Sequence, residues 1–176
     1  MKFICNPLKT CVLRTAGLST VNGARFGMTR KYPNGKPRPH QGIDLATDEG
    51  YRVYAVEDGE IVATAKGLDG YGFTITLKIK NTDNPELNGK FAFYAHLDRI
   101  DVKPGQKVSS GTQLGLSGDT GNAKGMTTIP KGGHLHFEIR TIQNPGLGLG
   151  GRIDPEPYSC ELLSFFSIFE IGRASC

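Results

Sequence analysis

The stretch Phe73-Thr74-Ile75-Thr76-Leu77-Lys78-Ile79-Lys80 alternates apolar and polar side chains without a break. That period fits an extended strand with one buried face and does not fit a helix. It is one of a series. Residues 52–56, 59–65, 90–97, 102–108, 111–118 and 134–141 form equally short runs, bounded by turn-forming residues. With 24 Gly, 10 Pro and no Trp, the chain has the punctuation of many short strands and little capacity for a helical bundle. The polar connection 81–89, carrying Pro85 and Asn88-Gly89, predicts a long-loop hairpin between the runs 73–80 and 90–97. The expected class is mainly β.

At 176 residues the chain is long enough for one well-buried core, and its site should lie in a single domain. Residues 1–24 show little periodicity and read as a lead-in; 25–158 form the domain. The apolar tail 159–176, with Leu162, Leu163, Phe165, Phe166, Ile168 and Phe169, is too short to span a bilayer and is expected to pack on that domain. Residues 121–133 are too broken for regular structure and read as an exposed loop, a candidate substrate wall.

The net charge of +4 is scattered along the chain, without a recognition helix or an aromatic RNA-binding pattern, so no nucleic-acid partner is expected. No segment has the length of a membrane span, and Met1-Lys2-Phe3-Ile4-Cys5-Asn6-Pro7 lacks the continuous apolar stretch of a classical signal peptide. The four cysteines sit near the ends. Bridges Cys5–Cys11 and Cys160–Cys176, or four free thiols, are equally compatible with that placement.

All four histidines fall in compact motifs: Pro39-His40-Gln41-Gly42-Ile43-Asp44, Tyr94-Ala95-His96-Leu97 and Gly133-His134-Leu135-His136-Phe137-Glu138. On a strand, residues i and i+2 share a face, so His134 and His136 project together, away from Leu135, Phe137 and Ile139. A single strand histidine is usually a hydrogen-bonded, partly buried ring. Here that reading would need several coincidences at once. Imidazole nitrogen and carboxylate oxygen are suitable ligands for Zn²⁺, but a catalytic zinc keeps about three protein ligands and an open position. Five candidate groups exceed that number, so some must stand outside to move protons or to bond an oxyanion. Chemistry alone does not say which.

The set His40-x-x-x-Asp44, Tyr94-Ala95-His96-Leu97 and His134-x-His136 resembles the lysostaphin-like, or LytM-type, zinc metallopeptidases. Phe26-Gly27, Asp58-Gly59-Glu60-Ile61-Val62, Val102-Lys103-Pro104-Gly105-Gln106-Lys107-Val108, Gly118-Asp119-Thr120-Gly121 and Asp154-Pro155 follow in the family's order, so the resemblance covers about residues 25 to 158. It implies a twisted antiparallel β-sheet of the duplicated hybrid motif type, crossed by a substrate groove. Its implied zinc ligands are His40, Asp44 and His136, with His96 and His134 as the catalytic pair. In the implied mechanism zinc acidifies a water, one histidine takes the proton, and a peptide carbonyl is attacked with no covalent enzyme intermediate. The sequence departs from the family in the long stretch 125–131 before His-x-His and in its Cys-bearing ends.

The implied substrate is bacterial cell-wall peptidoglycan, cut at stem-peptide cross-links of the D-Ala to diaminopimelate type, or at glycine bridges. Such a substrate lies in the periplasm or wall. Without a classical signal, a specialised route is expected: an antibacterial effector of the type VI kind, with a delivery or immunity protein as partner, or a phage lysis enzyme. A zinc-free wall-binding or regulatory module is the reading from another class, and the complete ligand set argues against it. A carrier or sugar-transport domain would explain 102–115 but not the convergence of Asp44 with the histidines.

Overall fold

The computed structural model describes residues 2, 3, 5–80 and 82–159. Eleven strands account for almost all the regular structure: β1 Gly27–Lys31, β2 Pro37–His40, β3 Ile43–Ala46, β4 Arg52–Tyr54, β5 Gly59–Lys66, β6 Phe73–Ile79, β7 Phe91–Ile100, β8 Lys107–Val108, β9 Gln113–Ser117, β10 His134–Arg140 and β11 Arg152–Ile153. Among the described residues the only helical pieces are four short 3-10 turns, and no helix is long and apolar enough to cross a membrane. The mainly β, antiparallel class read from the alternation is the observed one.

β1 and β2 form a separate hairpin. The other nine strands make one antiparallel sheet with the path β11-β10-β7-β6-β5-β8; β3 joins it along β10, and β9 pairs with both β4 and β7. The predicted β6–β7 hairpin is present, with Leu77 opposite Ala92 and Thr76 opposite Phe93. Leu135, Phe137 and Ile139 of β10 enter the core with Ile43, Leu45, Ile75, Leu77 and Tyr94, all fully buried. Tyr94 meets its polar requirement there by accepting the Val56 N–H on its hydroxyl at 3.1 Å.

The first 24 residues, read from sequence as a lead-in to the domain, contribute to its core. Phe3, Leu8, Cys11 and Leu13 are buried in it, and Leu13 bridges to Leu45 of β3. Arg14 N–H donates to Asp44 O at 2.9 Å and Ala46 N–H to Val12 O at 2.7 Å, so the segment lies along β3, which carries Asp44. The packing is irregular in sequence spacing, which is why no period announces it.

Of the two alternatives left open for the N-terminal cysteines, Cys5 and Cys11 follow the thiols and not the bridge: the Sγ of Cys11 donates to Leu8 O at 3.7 Å and that of Cys5 to Asn6 O at 3.4 Å. The Cys160–Cys176 pairing and the packing of the tail lie outside the described residues.

Candidate active site

β10 sits between β3 and β7, and its register sets the site: His136 faces Asp44 on one side and Ala95 on the other. Gly42 allows that approach. A Cβ there would stand 2.2 Å from Phe137 O and 2.8 Å from Glu138 Cγ, so any larger residue would push the strand carrying Asp44 off β10.

His40, at the end of β2, completes a cluster in which one donor atom each from His40, Asp44 and His136 lies within 4.8 Å of the others, all three residues buried. Asp44 Oδ1 is 3.0 Å from both His40 Nε2 and His136 Nδ1, and the two nitrogens are 3.2 Å apart. A tetrahedral zinc with ligand bonds near ~2.05 Å would separate its donors by about 3.3 Å, so the triangle is close to the size that ion needs. The second nitrogen of each ring is already committed. His40 Nδ1–H donates to Arg25 O at 2.9 Å, and His136 Nε2–H donates to Glu138 Oε1 at 3.0 Å. Those bonds turn the lone pairs of the remaining nitrogens toward Asp44, the orienting device common around metal-bound histidines. A cation, or a proton in its place, must neutralise three such atoms in contact.

The electrostatics agree. Burial works to raise the Asp44 carboxyl, but the neighbouring His134, His136 and His40 rings outweigh it and hold the group well below the usual carboxylate range. His136, between two carboxylates, is raised despite burial. Burial lowers His40. The other oxygen of Asp44 is held by Arg30 at 2.5 Å and Arg14 at 3.5 Å.

His134 and His96 stand beside this triangle with ring centroids 5.0 Å apart. His134 Nδ1–H donates to Gly132 O and His96 Nδ1–H to Thr120 O, each at 2.8 Å, so both Nε2 atoms are left unprotonated. His134 Nε2 is 3.8 Å from Asp44 Oδ2. Burial pushes His134 down to about 4 and, with the neighbouring His134 and His136, pushes His96 down to about 3. Both rings are neutral at pH 7.

His96 does not end its strand, as the sequence suggested; β7 continues to Ile100. Simple alternation from the core-facing Tyr94 would send His96 into the core. Its φ of 61° breaks the alternation, and His96 lines the same cavity as His134. A non-glycine residue in the left-handed region is uncommon and costs energy, and such residues cluster at functional sites.

Sequence reading assigned no role to Glu138, although it lies two residues beyond His136 and so on the same face. Fully buried, it accepts from His136 and the Tyr71 hydroxyl on Oε1, and from Arg140 Nε and Arg152 Nε on Oε2, at 2.6 to 3.0 Å. Arg152 also gathers the carbonyls of Gly146, Gly148 and Gly150, fixing the glycine-rich loop before β11.

A groove crosses the cluster. One lobe, about 460 Å³, is lined by the four histidines, Asp44 and arginines; the other, about 510 Å³, by Tyr71, Phe93, Arg140 and Leu147. Asn122 and Met126, from the loop 121–133, form part of its wall.

Residues 38–154 match the profile of peptidase family M23, across all five residues singled out above. The chain belongs to peptidase family M23. The lysostaphin-like resemblance read from the motifs is therefore correct. Peptidoglycan DD-endopeptidase ShyB of Vibrio cholerae is 34% identical over 122 residues, which cover 68% of this chain and 25% of ShyB. Murein hydrolase activator NlpD of Escherichia coli is 34% identical over 101 residues, 57% of this chain and 23% of NlpD. The chain thus spans about a quarter of each curated relative. Among solved structures, the catalytic domain of the antimicrobial peptidase lysostaphin from Staphylococcus simulans superposes with a TM-score of 0.58 at 26% identity, covering 77% of this chain and 87% of that domain.

Proposed function

We propose that this M23 domain is a zinc-dependent endopeptidase that hydrolyses peptide cross-links of bacterial peptidoglycan, with His40, Asp44 and His136 as metal ligands and His96 and His134 as the proton-transfer pair. The observation that carries the reading is the three-donor triangle facing the same groove as two neutral histidines whose Nε2 atoms are bare. When bound, zinc supplies Lewis acidity that polarises a peptide carbonyl and activates water near neutral pH.

The chain's own residues do the rest. Arg25 O and Glu138 hold the two ligand rings in the tautomer that points a lone pair inward. Gly132 O and Thr120 O likewise hold His134 and His96 through Nδ1–H, with the basic Nε2 of each left bare. One of these rings takes the proton of the attacking water and the other, once protonated, bonds the developing oxyanion or returns a proton to the leaving amine. Depressed pKa values keep both available as bases at pH 7.

The similarity to ShyB favours the D-Ala to diaminopimelate bond; the likeness to the lysostaphin domain keeps glycine bridges as the alternative. Either substrate puts the action in the periplasm or wall. The NlpD similarity supports a second reading, a regulatory module without hydrolysis, against which the complete His and Asp set speaks. Digestion of purified peptidoglycan with direct and with glycine-bridged cross-links, followed by mass analysis, decides among them. New amino termini in one wall type name the bond. A zinc-loaded protein that cleaves neither refutes the endopeptidase reading.

A further inference from the structure

The lobe that holds the histidines is lined by three arginines, Arg14, Arg30 and Arg38, and by one carboxylate, Asp44. Three guanidiniums against one carboxylate leave its side chains with a surplus of positive charge even before a metal is counted. Two of the arginines are engaged. Arg14 donates Nε to Ala16 O at 2.8 Å, Arg30 donates Nε to Gly23 O at 2.6 Å, and both reach the same Asp44 oxygen.

Arg38 differs. It is half-buried on β2, and among the described residues no acidic side chain pairs with it. Its register partner across the hairpin is Arg30. Like charges directly opposite on one sheet face are destabilising, and Asp44 relieves only the Arg30 member. Arg38 precedes His40 by two residues, so the two share a face about 7 Å apart along the strand, and both line the cavity. That distance is one to two residues of an extended peptide whose cut bond lies at the triangle.

We propose that Arg38 receives a free carboxylate of the substrate, so that the site selects cross-linked peptides carrying a carboxylate within one or two residues of the cut bond over their amidated counterparts. The inference rests on the endopeptidase reading and narrows its substrate class. A guanidinium takes a carboxylate through two parallel charge-assisted bonds, a geometry that an amide cannot match.

The test uses a synthetic D-Ala to diaminopimelate cross-linked peptide with its free carboxylate beside the bond, and the same peptide as the carboxamide. The zinc-loaded wild type should favour the carboxylate by about 10- to 100-fold in kcat/KM, the worth of one charge-assisted contact. Arg38→Gln should lose that preference through KM, with zinc content unchanged and a thermal midpoint no lower than that of the wild type, since the repulsion with Arg30 is relieved, and Arg38→Lys should recover part of it. Equal kinetics of wild type and Arg38→Gln on both peptides would overturn the proposal while leaving the endopeptidase reading intact. If the wild type cleaves neither peptide, the D-Ala to diaminopimelate assignment fails, and calorimetric binding of the same pair decides the carboxylate question separately. Binding of the carboxylate form that disappears in Arg38→Gln supports the proposal; indifference to the carboxylate overturns it.

Discussion

Replacing Glu138 by alanine removes the one anion between two buried guanidiniums and His136. Glu138 is fully buried, and Arg140 and Arg152 are 5% and 8% exposed, so both guanidiniums depend on that carboxylate for a counter-charge. Both arginines donate Nε to the same oxygen, Oε2, at 2.6 and 2.7 Å, while the other oxygen holds His136. Breaking a buried ion pair by deleting one partner costs about 3 to 5 kcal/mol, out of a total stability of about 5 to 15 kcal/mol for a domain. With a urea dependence of about 2 kcal/mol per molar, the midpoint should fall by roughly 1.5 to 2.5 M. Freeing His136 Nε2–H should also weaken zinc binding by about 10- to 100-fold, the usual cost of losing such an orienting partner. Urea unfolding of chelator-treated protein measures the first effect without the second, and competition with a chromogenic chelator measures the second. Glu138→Gln keeps the volume and one acceptor and should fall between. A Glu138→Ala protein with the wild-type midpoint and zinc affinity would refute the ion-pair and orientation argument together.

Metal analysis should find about one zinc per chain in wild type and in His134→Ala, but almost none in His40→Ala or Asp44→Ala. His134→Ala should lose peptide hydrolysis by roughly 10²- to 10⁴-fold, the contribution of a general base, and unaltered activity would remove its role. Gly42→Ala should destabilise the fold by about 1 to 3 kcal/mol or more, as overpacking does, because its Cβ meets the Phe137 carbonyl; a wild-type thermal midpoint would contradict that contact. Burial pushes His96 down to about 3 and His134 down to about 4, below the ordinary imidazole value of about 6.5, so the unfolded chain binds more protons in mild acid. Their contribution to the stability of metal-free protein should be complete above that value and be lost as pH falls toward 4. The lowered His40 adds to this loss, whereas the raised His136 acts above the free-imidazole value, where its contribution is lost as pH rises. Urea midpoints that rise between pH 7 and pH 5 would refute the assignment.

The strands legible in the sequence are those with one face in the core and an uninterrupted period. β6, β7 and β10 announce themselves by alternation or aromatic content, and the β6–β7 pairing by the turn residues between them. β1, β2 and β3 do not. β2 holds two prolines in four residues, and β3 is buried on both faces, so neither displays a period of two. The strand predicted over 102–108 shrinks to Lys107–Val108, because Pro104-Gly105 makes a turn whose Gly105 N–H donates to Ile61 O. The burial of Phe3, Leu8 and Leu13 depends on one isolated bridge and scattered backbone bonds, which leave no spacing to read.

Side-chain chemistry is a local property, so the residue types able to bind a metal and move protons were evident from His40-x-x-x-Asp44, His96 and His134-x-His136 alone. Family resemblance then suggested how to divide them. The geometry behind that division arises between distant segments. His96 reaches the groove through a backbone turn to φ 61° that its neighbours in sequence do not demand. Which nitrogen of each histidine faces inward depends on carbonyls of Arg25, Thr120 and Gly132 and on Glu138, brought in by β-pairing and loop packing. A hydrogen-bond acceptor acts over about 3 Å, and no linear pattern states which acceptors will lie that near. The five residues could be named from the chain; the direction in which each ring presents its lone pair required the folded sheet.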